Sequence, residues 1–320
     1  MFILLLSNAL LSRWMVQAAR MVGVPTVAEL LNLFVDKHSM PTVVVGPSHF
    51  SVEHTMQGQS PSERSLTNAW GEVVEIMVIS PAVDLSHFKP REMEGNVPKS
   101  IFCVAYFGRI SIEKNPGLFL LTAREVLDNN PFVRFVVIGD GPLRQSMEEL
   151  AMRLEIKDSV NFVGMLKGES LLGALRSIDV IVNPSLRAWS ETFCIANIEA
   201  MAVGIPLVTF AVGGIGEYID APDNFVEFSE DQDQSRDFRI FENAVIVDVP
   251  TPRAVAAAVL TLIDDDGLRD RISSAGRRTV EKYFSIERQV AEYTRLYRRL
   301  QRLGDFEFST PGSDARSGEL

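Results

Sequence analysis

Short apolar runs alternate with longer amphipathic stretches along the chain from residue 101 to about residue 250. The runs are rich in β-branched residues and bounded by Gly, Pro, Asn or Asp, a pattern typical of buried strands. They predict strands at Ile101–Phe107, Phe132–Ile138, Val160–Val163, Val180–Val182, Leu207–Ala211 and Ala244–Val247. The stretches between them predict helices from Asn115-Pro116 to about Asp128, around Met147–Leu154, at Ser170–Arg176 and near Gly214–Ile219.

This alternation predicts an α/β fold, in which helices cover both faces of a parallel sheet. In such sheets, ligands bind beyond the carboxyl ends of the strands, near the point where the strand order reverses. We therefore expect the functional residues in the loops that follow Phe107, Ile138, Val163, Val182 and Ala211.

The region before residue 91 has a weaker pattern. Strand or helix pieces are predicted at Pro25–Phe34 and Pro41–Gly46, a helix begins at Pro47, and Val73–Val78 is a strand. The apolar start, residues 1–14, lacks a basic leader and is too short to span a bilayer, so it favours a buried helix, with a signal peptide as the alternative. We expect only part of an α/β domain here, and no transmembrane segment.

Two segments near the C-terminus lack the alternation. Residues 222–242 are acidic and poorly periodic, which predicts an exposed insertion. The residues after Leu303 are predicted to be a disordered tail. Between these segments, a predicted helix from Ile286 to about Arg302 carries arginines that are best interpreted as a solvated face, at Arg288, Arg295, Arg298, Arg299 and Arg302.

Composition narrows the class of protein and of partner. With 320 residues, of which 46% are hydrophobic and 23% charged, the chain can form two soluble globular domains. Its net charge of −11, without a dense basic tract, argues against a nucleic-acid partner. Two cysteines form no disulfide framework, which favours a reducing, cytoplasmic location, and four scattered histidines show no metal-ligand spacing, so we expect no metal.

The segment Ser190–Phe210 carries the most specific chemistry. Glu191 and Glu199 flank the start of an apolar helix predicted to begin near Phe193, and the free backbone N–H groups of such a helix end bind anions. Two carboxylates around a phosphate-binding helix end suit a ligand with hydroxyls on both sides of a diphosphate, such as a nucleotide-sugar. The alternative is a surface helix with two solvated acids.

Cations follow the first of the predicted strands. Gly108 allows close approach, and Arg109 and Lys114 form a plausible diphosphate clamp, with a pair of surface cations as the alternative. The segment Gly139–Pro142 lacks the rest of the G-x-G-x-x-G pattern of dinucleotide-binding loops. The favoured interpretation is therefore a tight turn between a strand and a helix. Cys194, at a helix start, is a candidate for a lowered pKa, but no histidine is near in sequence and pocket lining is the favoured interpretation.

Taken together, these motifs resemble the C-terminal domain of retaining GT-B glycosyltransferases of family 4. The resemblance covers about two thirds of the chain, from residue 81 to residue 297, and is carried in order by Phe107-Gly108-Arg109 with Lys114, Ile138–Pro142, Phe162–Gly164, Asn183-Pro184-Ser185, the Glu191/Glu199 element through Pro206, and Gly213-Gly214. It implies two Rossmann-like domains and metal-independent sugar transfer from a nucleotide-diphosphate sugar, with retention of anomeric configuration and no cofactor. The acceptor stays unknown.

The resemblance also implies roles for individual residues. Arg109 and Lys114 would neutralise the departing diphosphate, and Glu191 would orient the donor sugar as the third catalytic residue. The substrate-binding residues would be Gly108, Leu166 against the base, Thr192, the backbone amides of Phe193, Cys194 and Ile195, and Glu199 at the ribose hydroxyls.

The chain departs from the family pattern in two places. Thr192 and Cys194 stand where glycines are usual, which predicts a sugar pocket that is tighter or differently shaped. The N-terminal domain lacks the glycine-rich first loop of the family. We therefore expect a partial N-terminal domain at 1–90, a linker at 91–100, a donor-binding domain at 101–283, a crossover helix at 284–303 and a tail at 304–320.

Three other interpretations remain. The chain could be a non-catalytic nucleotide-sugar-binding or scaffold subunit that needs a partner chain to complete its N-terminal half. It could be a fragment of a longer glycosyltransferase. A dinucleotide-dependent dehydrogenase is disfavoured because the glycine fingerprint is missing.

Overall fold

The computed structural model describes residues 4–6, 26–29, 43–56, 66–67, 73–90, 101–187, 191–219 and 237–307. The chain divides into two compact units, of which the first comprises Met1–Ile79 with Gln289–Leu320 and the second Ser80–Arg288. The predicted linker at 91–100 lies outside the described residues. None of the helices in the described part of the chain is long and apolar enough to cross a membrane.

The strands are β1 Leu4–Leu6, β2 Thr26–Glu29, β3 Val43–Gly46, β4 Leu66–Thr67, β5 Val73–Val78, β6 Cys103–Phe107, β7 Arg134–Ile138, β8 Val160–Gly164, β9 Val180–Asn183, β10 Leu207–Thr209, β11 Phe238–Ile240 and β12 Val245–Val247. The described α-helices are α1 His49–Met56, α2 Pro116–Asn129, α3 Arg144–Arg153, α4 Gly168–Arg176, α5 Ile195–Val203, α6 Ile215–Ile219, α7 Pro252–Asp264, α8 Asp266–Tyr283 and α9 Ile286–Glu307.

The second unit is built on a seven-stranded sheet with the order β11-β12-β10-β9-β6-β7-β8. Its strands pair in parallel, except that β11 is antiparallel to β12. From β6 the chain proceeds through β7 to β8, then returns to the other side of β6 with β9. The strand order therefore reverses between β6 and β9, and the loops that follow these two strands flank the crevice where ligands bind in such sheets.

Two apolar layers cover this sheet, as the near-continuous hydrophobic strands require. On one face, Phe119 of α2 and Val259 of α7 belong to a buried cluster with Phe135 of β7. On the other face, Met201 of α5 and Val280 of α8 belong to a second buried cluster. The predicted parallel α/β architecture is confirmed, and each predicted strand is present within a few residues of its expected bounds.

Helix starts follow local sequence signals. Pro116 occupies the first turn of α2 after Asn115, which takes a left-handed conformation at φ 49° and makes no capping bond through its side chain. The side chains of Thr251 and Asp265 accept hydrogen bonds from the backbone at the starts of α7 and α8. Proline at the first position and a hydroxyl or carboxylate cap stabilise a helix start because its first N–H groups lack helical partners.

The first unit contains a five-stranded sheet with the order β1-β2-β3-β5-β4. Strands β1, β2, β3 and β5 pair in parallel, and β4 is antiparallel to β5. Val43, Val45 and Ile79 form a buried cluster with Leu296 and Leu300 of α9. Apolar strands thus pack against an amphipathic helix from the far end of the chain.

The predicted helix at the start of the chain is wrong at residues 4–6, which form β1. These leucines pair in parallel with Thr26–Ala28 of β2. A short apolar run does not distinguish a strand from a buried helix, because both bury every side chain.

The acidic segment at 222–242 is not an exposed insertion throughout. Phe238–Ile240 forms β11, paired with β12, and the Phe238 side chain is buried. The sequence pattern missed this strand because it is short and lies at a sheet edge, where charged residues are common. Residues 222–236 of the predicted insertion lie outside the described residues.

The final helix, α9, runs to Glu307, beyond the predicted end near Arg302 and into the predicted tail at 304–320. The remainder of that tail lies outside the described residues. Arg295, Arg298 and Arg299 are exposed, as a solvated face predicts, whereas Arg288 is half-buried and donates to the Ser80 carbonyl at 2.7 Å.

A close backbone contact holds the loops after β6 and β7 together. A Cβ atom on Gly139 would lie 1.9 Å from the Gly108 carbonyl oxygen, and the φ of Gly139 is 135°. The amide of Gly108 donates to the Ile138 carbonyl at 3.0 Å, and that of Gly139 donates to the Gly164 carbonyl at 2.8 Å. The tight turn predicted at Gly139–Pro142 is confirmed, and its glycine is required by this contact.

Replacing this glycine tests the contact. We expect Gly139→Ala to reduce the free energy of unfolding by at least about 2 kcal/mol, because the added methyl group forces the two loops apart. Gly173→Ala is the control: Gly173 lies in α4 with open space at its Cβ position, so alanine should stabilise by about 0.5–1 kcal/mol. Urea unfolding measures both, and equal effects would contradict the proposed contact.

Candidate functional site

Two adjoining cavities lie at the carboxyl ends of β6, β7 and β9. The smaller has a volume of about 190 Å³ and is lined by Tyr106, Phe107, Gly108, Arg109, Lys114, Asn183, Cys194, Ile195 and Ala196. The larger has a volume of about 630 Å³ and is lined by Phe107, Gly108, Arg109, Ile138, Gly139, Asp140, Gly141, Met165 and Leu166. The residues common to both are Phe107, Gly108 and Arg109, so one ligand with two parts can occupy both cavities.

Lys114 and Glu191 form an ion pair at the switch point. Lys114 ends the short 3₁₀ turn after β6, and Glu191 lies between β9 and α5. The Lys114 ammonium donates to Oε1 of Glu191, whose side chain is 1% exposed. The second carboxylate oxygen, Oε2, is buried and has no hydrogen-bond partner among the residues that the structure describes. Glu191, predicted to face the donor sugar, is therefore buried against Lys114 in the ligand-free protein.

The electrostatics of this pair favour the charged form of Lys114. Burial disfavours the ammonium, but the acidic groups that face it, Cys194 and Glu191, raise the pKa of Lys114 above its usual value. The hydroxyl of Ser111 donates to the Glu113 carboxylate at 2.6 Å and lowers the pKa of Glu113, and the charges of Arg109 and Lys114 act in the same direction. Lys114 therefore carries its positive charge at neutral pH.

Arg109 is the exposed cation of the site. Its side chain lines both cavities, and among the described residues its guanidinium forms no hydrogen bond or ion pair. Its backbone is held in place, since the Tyr106 hydroxyl donates to the Arg109 carbonyl at 2.5 Å. A fixed backbone with an unengaged guanidinium leaves all five of its donors for an anion.

The helix after Glu191 begins at Ile195, two residues later than predicted. Cys194 precedes it in a left-handed conformation, with a φ of 65°. Cys194 and Ile195 line the smaller cavity, whereas the Phe193 side chain is buried and packs against the rings of Tyr218 and Phe284. Phe193 lines neither cavity, so the role of its backbone amide stays a prediction.

The suggestion of a lowered Cys194 pKa is wrong. Burial raises the pKa of the Cys194 thiol to about 12, although the nearby Lys114 ammonium acts in the opposite direction. The thiol accepts a hydrogen bond from the Asn183 side-chain amide at 3.1 Å. The geometry places Cys194 in the cavity wall, which was the favoured interpretation.

A buried amide network behind the smaller cavity was not anticipated from the sequence. Asn183 also donates to Asn197 Oδ1 at 2.9 Å and accepts from the Ser185 amide at 3.1 Å. Asn197 in turn donates to the Tyr218 hydroxyl at 2.9 Å. These bonds join the end of β9 to α5 and α6. The available signal was the presence of asparagines within two otherwise apolar elements, since buried amides need partners.

Glu199 lies on the second turn of α5 and is half-buried. Burial raises the pKa of its carboxyl to about 7. Leu166, the residue predicted to lie against the base, lines the larger cavity. Gly108 lines both cavities. Thr192 is half-buried beside Glu191 and does not line either cavity.

The family is established by sequence comparison. The model of the family described as glycosyl transferases group 1 matches residues 91–279, which is more than half of the chain. The chain therefore belongs to this family. The sulfoquinovosyl transferase SQD2 of Arabidopsis thaliana is 28% identical over 258 residues, which cover 81% of this chain and 44% of that protein. The chain thus spans less than half of the length of that relative.

Solved structures show the fold. HepE of Anabaena in complex with UDP matches with a TM-score of 0.69 and 17% identity, covering 93% of this chain and 79% of that one. Sucrose-phosphate synthase of Thermosynechococcus elongatus matches with a TM-score of 0.71 and 20% identity, covering 94% and 74%. The fold is the α/β GT-B fold of glycosyltransferases, as predicted.

The Lys114–Glu191 pair predicts a strong energetic coupling. We expect Lys114→Met and Glu191→Gln each to lower the free energy of unfolding by about 2–4 kcal/mol, because each leaves a buried polar partner unmatched. The double variant should lose much less than the sum of the two. Urea unfolding of the four proteins measures this coupling.

The exposed pair Arg124–Asp128 on α2 is the matched control. Arg124→Gln and Asp128→Asn should show a coupling of about 0.5 kcal/mol or less, as surface pairs do. A coupling between Lys114 and Glu191 no larger than this value would show that the pair is not a structural link.

Proposed function

We propose that the second unit binds a nucleotide-diphosphate sugar and that the protein transfers the sugar to an acceptor with retention of anomeric configuration and without a metal. The observation that carries this proposal is the arrangement of two cations around adjoining cavities. Arg109 lies where the cavities meet, and Lys114 lines the smaller one. In a chain with a net charge of −11, such a local cationic site needs an anionic ligand to account for it.

The diphosphate would lie between Arg109 and the start of α5. The guanidinium can bind it in a bidentate manner, and the first backbone amides of α5 add donors on the opposite side. The family resemblance assigns the same two cations to this role. Charge supplied by side chains in this position supports the metal-independent form of the reaction.

The sugar would occupy the smaller cavity. Cys194 and Ile195 form its wall, and the unpartnered Oε2 of Glu191 is buried nearby with unused hydrogen-bonding capacity. A sugar hydroxyl that reached Glu191 would supply that missing bond, which supports the orienting role of this carboxylate. The larger, more apolar cavity would hold the base against Leu166 and Met165, and Glu199 would accept hydrogen bonds from the ribose hydroxyls.

Transfer would follow from this placement by front-face attack. An acceptor oxygen forms a bond to the anomeric carbon, the bond from that carbon to the phosphate oxygen breaks, and the acceptor proton passes to the departing diphosphate. Arg109 and Lys114 stabilise the negative charge that develops on this group. Because the chain spans less than half of a curated relative, the complete reaction and the acceptor are part of the proposal.

A second candidate is a nucleotide-sugar-binding subunit without turnover. The burial of Glu191 against Lys114 favours it, since the carboxylate that would orient the sugar is engaged in the free protein. A slow release of free sugar from a bound donor, measured with a radiolabelled nucleotide-sugar, supports the enzyme. Saturable binding of the donor without any product favours the binding subunit.

Nucleotide binding is the first test. We expect one of UDP, GDP and ADP to raise the melting temperature of the chain by several degrees, equally with EDTA and with Mg²⁺. Arg109→Ala should reduce the affinity for that nucleotide by at least about tenfold, because a charged hydrogen bond to phosphate is lost. Thermal shift and isothermal titration measure the two effects.

Arg134→Ala is the matched control, because Arg134 begins β7 at the opposite end of the same sheet and its side chain bonds, within the described residues, only to the carbonyls of Pro131 and Val133. It should leave nucleotide affinity unchanged. No shift with any of the three nucleotides, from a folded protein, would overturn the proposed donor site. A strict requirement for Mg²⁺ would overturn metal independence alone.

The raised pKa of Glu199 predicts that nucleotide affinity depends on pH. Its pKa of about 7 in the free protein means that the carboxylate, the better acceptor for ribose hydroxyls, is depleted as the pH falls below 7. From pH 8 to pH 6 this depletion lowers nucleotide affinity up to about tenfold. Titration calorimetry should show this loss of affinity in the wild type and a smaller loss in Glu199→Gln. Because the nucleotide phosphate titrates in the same way with both proteins, the difference between them reports Glu199 alone.

The same pKa gives an independent stability readout. A carboxyl whose pKa is raised on folding stabilises the folded state at low pH, and this stability is lost as the pH rises toward 7. Glu199→Gln should therefore raise the melting temperature of the ligand-free protein at pH 8 and have little effect at pH 5. A pH-independent difference in both stability and affinity would rule out the assigned role.

A further inference from the structure

Arg144, on the first turn of α3, makes contacts that no part of the proposed reaction uses. Its side chain is 32% exposed and lies behind the larger cavity without lining it. The guanidinium has three separate partners, on the loop after β7, on strand β8 and on its own helix. We propose that Arg144 is a positioning residue that holds the base side of the donor site in shape.

The first contact reaches the loop after β7. Nη1 of Arg144 donates to Oδ2 of Asp140 at 3.2 Å. Oδ1 of the same carboxylate accepts from the Gly141 amide at 2.7 Å, and the Asp140 carbonyl accepts from the Ile110 amide at 2.9 Å. Asp140 and Gly141 both line the larger cavity. This wall of the cavity is therefore anchored to α3 through Arg144.

The second contact reaches the end of β8. Nη2 of Arg144 donates to the Phe162 carbonyl at 3.1 Å. Two residues on, Gly164 has a φ of 77°, and a Cβ atom there would lie 3.2 Å from Nη1 of Arg144. This segment leads directly into Met165 and Leu166, the apolar part of the same cavity. One planar guanidinium therefore bonds both to the loop after β7 and to strand β8, the two segments between which the base would lie.

The third contact is local, and it allows the support of α3 to be distinguished from the positioning of the cavity wall. Nε of Arg144 donates to Glu148 at 2.9 Å, one turn along α3. This ion pair supports the helix and does not touch either loop. Loss of the Glu148 contact therefore affects α3 alone, whereas loss of the Arg144 guanidinium also removes the bonds to Asp140 and to the Phe162 carbonyl.

The contacts of Arg144 lie on the base side of the site, although the loop after β7 is itself bonded to the backbone on either side of Arg109, at Gly108 and Ile110. Arg109 and Lys114 are fixed by other contacts, through the Arg109 carbonyl to Tyr106 and through the Lys114 ammonium to Glu191. Arg144 does not touch these residues in the described structure. Its loss should therefore weaken recognition of the nucleoside and leave the binding of a bare diphosphate unchanged, which a general loss of structure would not do.

This inference rests on the proposed function, and its experiment separates the two. Calorimetry measures the affinities of UDP, GDP, ADP and inorganic pyrophosphate for the wild type, Arg144→Lys and Arg144→Gln. Both variants should bind the preferred nucleotide about five- to tenfold more weakly, with unchanged pyrophosphate affinity. Lysine keeps the charge but cannot reach two partners with a planar fork, so it should not restore the affinity.

Two controls separate positioning from stability. Glu148→Gln removes the local partner, and Arg124→Gln removes a comparable ion pair on α2, away from the cavity. Both should retain wild-type affinity for the nucleotide. Melting temperatures of all variants identify any that fail to fold, and Arg144→Lys, the milder change, then carries the test.

Equal losses for nucleotide and pyrophosphate in the Arg144 variants, or no loss for either, would overturn the positioning role. Nucleotide loss in Glu148→Gln as large as in Arg144→Gln would also overturn it, because the effect would then arise from α3 alone. A wild-type protein that binds none of the nucleotides contradicts the proposed function itself. That outcome is distinct from the other results because the wild-type measurement alone decides it, before any variant is compared.

Discussion

The contact between Lys114 and Glu191 organises the functional end of the second unit. Lys114 ends the turn after β6 and Glu191 precedes α5, so their ion pair spans the crevice where the strand order reverses. A carboxylate that is 1% exposed is costly unless an opposite charge compensates it. The Glu191 carbonyl also accepts from the Gly214 amide at 2.9 Å, so the position of one residue ties together three loops.

This pair also gives the site its charge distribution. One oxygen of Glu191 is engaged and the other is buried without a partner, while the Arg109 guanidinium faces the cavities. Where the two cavities meet, the accessible charge is therefore the Arg109 guanidinium, although the chain as a whole carries a charge of −11. Such a site attracts an anionic ligand first, and its buried acceptor becomes useful only to a ligand whose hydroxyls enter the crevice.

The walls of the site are held by backbone contacts and buried polar networks. Gly139 lies against the Gly108 carbonyl, and Asn183 links the end of β9 to α5 through Asn197. Arg144 adds a side-chain link between the loop after β7 and strand β8. Loops linked in this way hold their shape without ligand, which reduces the ordering cost of binding.

The repeated pattern of apolar runs and turn residues was sufficient to predict the parallel sheet of the second unit. The strands at 103–107, 134–138 and 180–183 are apolar apart from Arg134 at the start of the second and Asn183 at the end of the third, and Pro116 starts α2 as its position indicates. Residues 4–6 and 238–240 could not be assigned in the same way. They are too short to show a period, and their pairing with distant strands decides their conformation.

The sequence by itself therefore determined the fold class, the family and the group of loops in which the candidate residues lie, because these depend on local periodicity and on motifs with fixed spacing. Tertiary structure decided the state of those residues. Only packing buries Glu191 against Lys114, raises the pKa of Cys194 to about 12 and that of Glu199 to about 7, and brings Arg144 behind the larger cavity. Burial and charge depend on neighbours that are distant in sequence, so no local pattern contains them.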